Sequence, residues 1–164
     1  MENDCAGLLE TLEKQLDIYR ELLSLALAKK PVLVKGNIPE LEKMTKEEEL
    51  LILQVGRLEE QRRFLHQALA NRFVLSPEEL SLSELIRRTD DNTSQKFQKV
   101  FAEMTDVLKE LADINQVNIE LIKSSLDYID FSMDILTSTN SSPVYSEQDE
   151  EKKQTAAKIF DRKI

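Results

Sequence analysis

The sequence has little of what breaks a helix and little of what does chemistry. Its 164 residues include 3 glycines, 4 prolines, one cysteine, one histidine and no tryptophan, and aromatics make up 5%. That scarcity excludes a β-sandwich, and the lack of a glycine-rich phosphate loop excludes a nucleotide-binding α/β fold. Cys5 stands alone, so no intrachain disulfide can form, as expected of a chain kept in a reducing cytoplasm. Cys5 and His66 are 61 positions apart, so they cannot make a His/Cys metal cluster. A di-iron bundle would need Glu-x-x-His pairs, and there are none. His66 stands beside Arg62 and Arg63, off the apolar seam of its helix, and reads as a surface residue. The carboxylate runs Glu47-Glu48-Glu49 and Asp149-Glu150-Glu151 read as solvated charge. No catalytic residue, metal or cofactor is expected, and the chain is not read as an enzyme. Met1-Glu2-Asn3-Asp4 lacks the basic start of a signal peptide. No apolar run approaches the ~20 residues that a membrane span needs. The expected location is the cytoplasm, with no membrane insertion.

What remains is charge and periodicity. Charged residues make up 32% and the net charge is −9, which excludes nucleic acid and anionic membrane as partners. From Thr139 onward five acidic and five basic residues cancel, so the whole −9 lies on residues 1–138. The chain is organised around Asn92 to about Ser138, some 47 residues without proline or glycine. Apolar residues recur there at seven-residue steps. One row is Val100, Val107, Ile114, Leu121, Tyr128 and Ile135, and its neighbour is Phe101, Leu108, Asn115, Ile122, Ile129 and Leu136. A third row opens with Phe97, Met104 and Leu111, then turns polar at Asn118, Ser125 and Ser132. Rows so spaced share one helical face. At ~1.5 Å per residue the helix should be about 70 Å long.

Upstream, Asn3 or Asp4 caps a first helix with the seam Leu9, Leu12, Leu16, Tyr19, Leu23 and Ala26, ended by Lys29, Lys30 and Pro31. Val32 to Val34 read as a short extended piece, and Lys35-Gly36-Asn37 as a turn. A second helix runs to about Arg72 on the seam Leu41, Met44, Glu48, Leu51, Val55, Leu58, Arg62, Leu65 and Leu69. Gly56 within it reads as a place where another helix packs close. Ser76, Pro77 and Glu79 form a capping box for a short helix carrying Leu80, Leu85 and Ile86 inward. Asp90-Asp91-Asn92 caps the long helix. The fold expected is all-α: an elongated antiparallel bundle of three long helices plus one short helix over 1–138, and a disordered, flexible C-terminal tail over 139–164.

Two features invite a functional reading. Asn115 and Asn118 interrupt the long helix's apolar rows. They either set register between packed helices or line a groove that binds a guest peptide. Tyr145, with Val144, is an isolated apolar pair beside Pro143 in a polar tail. It is either incidental or a short docking motif.

Three segments resemble the FlgN-like family of flagellar export chaperones. In the second helix, Glu47-Glu48-Glu49-Leu50-Leu51 leading to Leu58-Glu59-Glu60-Gln61-Arg62-Arg63 resembles the family's acidic-leucine stretch. Leu82-Ser83-Glu84-Leu85-Ile86 resembles its short leucine-rich helix. Asn115-x-x-Asn118, Leu121-Ile122 and Ser125-Leu126-x-Tyr128-Ile129 resemble its asparagine-marked last helix. Tyr145-Ser146 falls where the family tends to carry Tyr-Gly. The resemblance implies a cytoplasmic, non-enzymatic chaperone of type III flagellar export. Its implied partners are the C-terminal helices of hook-associated proteins and the cytoplasmic domain of the export gate, with Tyr145 at the gate. The long helix should outrun its shorter partners, leaving a groove for a guest helix lined by Asn115, Asn118, Leu121, Ile122, Leu126 and Ile129. Two other readings fit the same seams: a structural coiled-coil homodimer, and a regulatory bundle that sequesters a partner helix.

Overall fold

The computed structural model describes residues 2–139, with side chains described for residues 4–138. They form four helices: α1 (Glu2–Lys35), α2 (Ile38–Arg72), α3 (Leu82–Arg88) and α4 (Asp91–Thr139). No strand occurs among the described residues. The chain divides inside α4 into two compact units, residues 1–123 and 124–164. Apart from Thr139, the tail expected over 139–164 lies outside the described residues, and so does Tyr145.

In the first unit α2 runs back along α1. Lys29 pairs with Glu48 near one end at 2.6 Å, Gln15 reaches Glu59 at 3.3 Å in the middle, and Arg72 pairs with Asp4 at the other end. The part of α4 up to Lys123 follows α1 in the same direction. Phe97 and Val100 join Cys5, Leu8 and Leu12 in one core, Arg20 meets Glu103 at 2.5 Å, and Asn118 reaches the carbonyl of Ala26 at 2.9 Å. Phe97 and Leu69, both 0% exposed, are the most enclosed large side chains.

The two-sided packing of α1 explains its buried stripe. The seam read from sequence is buried or half-buried throughout. Cys5, Leu8, Thr11, Gln15, Leu22 and Leu33 are buried as well. A helix with one neighbour hides a stripe about 100° wide, whereas a helix with neighbours on two sides must hide more. Thr11 tolerates burial because its hydroxyl donates to the carbonyl of Gly7 at 2.8 Å.

Pro31 does not end α1, contrary to the sequence expectation, and Val32–Val34 are helical rather than extended. Proline removes the donor for the Leu27 carbonyl and crowds the preceding turn, at ~3 kcal/mol. Packing beyond it offsets that cost: Leu33 is buried, and the Lys29–Glu48 pair fastens the same end to α2. The helix stops at Gly36 instead. Its φ of 65° is a left-handed conformation that suits glycine. Gly36 N–H donates to Leu33 O at 3.1 Å and Asn37 N–H to Val32 O at 3.2 Å, which closes the last turn as a Schellman motif. Asn37 then caps α2, its side chain accepting from Glu40 N–H at 3.3 Å.

Every residue of the predicted α2 seam is buried or half-buried. Its two charged members are matched: Glu48 by Lys29, and Arg62 by a two-pronged contact with Glu59 at 2.7 and 2.6 Å. Gly56 does not serve close packing, because a Cβ built there would meet nothing within 4 Å.

The capping box at Ser76 forms, with Ser76 N–H donating to Glu79 Oε2 at 2.8 Å and Glu79 N–H to Ser76 Oγ at 3.3 Å. It closes only a turn. Leu80 is drawn into the core at 3% exposure, and the helix begins one step later, behind a second cap at Ser81 that accepts from Glu84 N–H. Asp90 caps α4, accepting from Thr93 N–H at 3.0 Å.

Two glycine substitutions separate these roles. Gly56→Ala should raise the unfolding free energy by about 0.5–1 kcal/mol in urea titration, because nothing opposes the new methyl. Gly36→Ala should lower it by about 1 kcal/mol, because alanine resists the left-handed conformation.

Candidate functional site

The residues expected to face a guest helix divide between the two units and differ in exposure. In the first unit Asn115 and Leu121 are half-buried and Ile122 is 40% exposed. Asn118 is only 4% exposed and does not face outward. It donates to the Ala26 carbonyl, which already lies in the hydrogen-bond ladder of α1, so it acts across a helix–helix seam rather than in a groove. Its own side-chain oxygen is buried without a hydrogen-bond partner. Asn118 lies in the row of Phe97, Met104 and Leu111, all buried or half-buried, and the Ala26 bond accounts for its polar character.

The second unit offers a different surface. Between Ser124 and Ser138 the backbone is helical and every large apolar side chain is exposed. At ~100° per residue, Leu126, Ile129 and Met133 share one face, at 56%, 53% and 56% exposure. Asp127, Asp130 and Asp134 form a strip beside it. Tyr128, 71% exposed, lies on the far side of those aspartates. No Lys or Arg occurs between Ser124 and Thr139, and the last turn of α4 carries no base to offset the negative end of the helix dipole. Sequence reasoning named Leu126 and Ile129 but missed Met133, which continues the same helical spacing.

Elsewhere the titratable groups serve structure. The bidentate Arg62 contact, assisted by Gln15, holds the Glu59 carboxyl below the usual carboxylate range against the opposing effect of burial. Burial pushes the Cys5 thiol up. Burial, then the charge of Glu59, raises the Tyr19 hydroxyl. His66 is half-buried rather than at the surface, with Nε2 2.9 Å from the carbonyl of Leu80, so it ties the α2–α3 connection to α2. A shallow groove between α1 and α2 is lined by Lys14, Asp17, Ile18, Gln54, Arg57 and Leu58. Among the described residues no group of three or more His, Cys, Asp or Glu side chains is placed to hold a metal, and no helix is long and apolar enough to cross a membrane.

Among the described residues, a helical segment so densely apolar, acidic and exposed is the kind of surface through which proteins bind other proteins. The sequence matches the FlgN protein family over residues 1–153, nearly its full length, and the chain belongs to that family. The family supports a role of the flagellar export chaperone kind. The chain is also similar to the uncharacterized protein YvyG of Bacillus subtilis strain 168, at 25% identity over 159 residues covering 96% of this chain and 97% of YvyG. No solved structure matches it.

Two measurements check the structural assignments. Asn118→Leu, which removes the Ala26 bond and the stranded oxygen while refilling the space, should stay within about 1.5 kcal/mol of the parent stability. Asn118→Ala should be the less stable of the two, because it leaves a void. The second concerns pH. Glu59 has a depressed folded pKa, so its contribution is present above the ordinary glutamate value near ~4.3 and is lost as pH falls through the folded value. The melting temperature of Glu59→Gln should therefore fall less than the parent's between about pH 5 and pH 3.

Proposed function

We propose that this protein is a cytoplasmic chaperone of type III flagellar export that carries hook-associated proteins. It binds the C-terminal helical region of its cargo, keeps the subunits from assembling early, and delivers them to the cytoplasmic domain of the export gate. Membership of the FlgN family supports the class. The observation that carries the binding mode is the helix over 124–138, on which Leu126, Ile129 and Met133 are exposed.

Leu126, Ile129 and Met133 present apolar side chains at the spacing that receives an amphipathic helix. The adjoining aspartates favour a cargo helix flanked by Lys or Arg, since complementary charge speeds encounter and fixes orientation. In the first unit, Ile122 is the most exposed cargo candidate, while the half-buried Asn115 and Leu121 are secondary candidates. Asn118, 4% exposed and bonded to α1, is not counted among the cargo contacts. Tyr145 is assigned to the gate and not to cargo, on the family resemblance alone.

Calorimetry with a cargo C-terminal peptide tests this reading. Leu126→Asp with Ile129→Asp should weaken binding by at least about 100-fold, the scale of a lost hot spot. Unchanged affinity would place the cargo site elsewhere. Tyr145→Ala should weaken binding to the gate domain and leave cargo affinity within about twofold. Equal loss of both would put the tail in the cargo site.

A further inference from the structure

The outward face of α2 carries a second apolar stripe that the cargo reading does not use. Leu50, Leu53 and Phe64 are 60%, 61% and 73% exposed. They lie on the side of α2 away from its buried seam. Arg57 and Glu60 fall between them in the spacing and are also exposed, with Arg57 at the border of the groove toward α1. Leu50, Leu53, Arg57, Glu60 and Phe64 follow a 3-4-3-4 spacing, the spacing of a coiled-coil seam. The stripe is about 21 Å long at ~1.5 Å per residue. Among the described residues, Arg57 and Glu60 have no ion-pair or hydrogen-bond partner inside the chain. Lys46 and Arg62, close by on the same helix, are both paired, to Glu42 and Glu59.

We infer that this face pairs with the same face of a second copy, the two α2 helices running antiparallel about a two-fold axis between Arg57 and Glu60. The order of residues along the stripe carries the inference. Antiparallel coiled-coil layers that place Arg57 opposite the partner's Glu60 also place Leu53 opposite the partner's Phe64. The two-fold repeats both layers, giving two ion pairs at the centre flanked by two Leu–Phe contacts. A two-fold interface must be self-complementary in this way. A parallel pairing would stack Arg57 on Arg57 and Glu60 on Glu60, which like-charge repulsion disfavours. Leu50 extends the apolar contact over the stem of the partner's Gln67. The patch is small beside standard interfaces, so the dimer is a weak, concentration-dependent one.

Sedimentation velocity of the full chain, from low micromolar to hundreds of micromolar, tests this directly. The parent should shift from monomer toward dimer. Arg57→Glu sets glutamate against the partner's Glu60, and Glu60→Arg sets arginine against the partner's Arg57. Each single variant should dissociate at least about tenfold more readily than the parent. The double variant with both changes should regain the dimer. So should an equimolar mixture of the two single variants, because each supplies the charge that the other now lacks. That rescue distinguishes a lost interface from a misfolded chain. A parent that stays monomeric throughout, or a dimer indifferent to these changes, overturns the inference. So does a dimer abolished by Leu126→Asp instead. These outcomes are read without cargo and do not depend on the export reading.

Discussion

A helix with apolar side chains on two opposite faces does not stay so in water without something to cover it. Burial of apolar area is worth roughly 25 cal/mol per Å², and a helix that is greasy on more than one side belongs inside a larger assembly. Residues 124–138 have that character. Leu126, Ile129 and Met133 line one side and Tyr128 another, with only aspartates as charged residues and no base among them. In the first unit the same helix behaves ordinarily: Phe97, Val100 and Met104 contribute to one core with α1 and the ends of α2 and α3. The change in behaviour along a single helix is what the functional reading depends on.

In the first unit the register of the helices is set by polar contacts. The α1–α2 pair is fixed at three levels by Lys29–Glu48, Gln15–Glu59 and Asp4–Arg72, and α1 is tied to α4 by Arg20–Glu103 and by Asn118 on the Ala26 carbonyl. The Lys29–Glu48 pair is mostly shielded from water, so losing one partner would strand the other charge. Such contacts add modest stability but penalise a slipped alignment, which a seam of leucines alone would tolerate. Asn118 belongs to this set. Its unmet oxygen shows that burial at this position is not optimal for stability.

Much of this was legible in the sequence. Seven-residue rows, four prolines and three glycines dictate helices, and the turn at Gly36, the cap at Asp90 and the α2 seam follow from local chemistry. Failures came where tertiary packing outweighed local preference. Pro31 reads as a stop because its local cost is real, but the Lys29–Glu48 pair and buried Leu33 hold the helix beyond it. The capping box at Ser76 was recognised, but the core's demand for Leu80 moved the helix start to Leu82. Asn118 looked like a groove residue because its row turns polar, and one sequence cannot show that the Ala26 carbonyl lies opposite. Ile129 follows from the seven-residue spacing and Leu126 from the resemblance, and both are exposed, whereas the outward stripe on α2 is hidden by attention to its inward seam.

The central claim is that residues 124–138 are completed by a partner's amphipathic helix. Hydrogen–deuterium exchange on the full chain, with and without a cargo C-terminal peptide at saturation, addresses it residue by residue. The account predicts that amide protection rises chiefly across 124–138, while α1 and α2 change little. Protection that leaves 124–138 untouched and appears instead on α2, or nowhere, would contradict it.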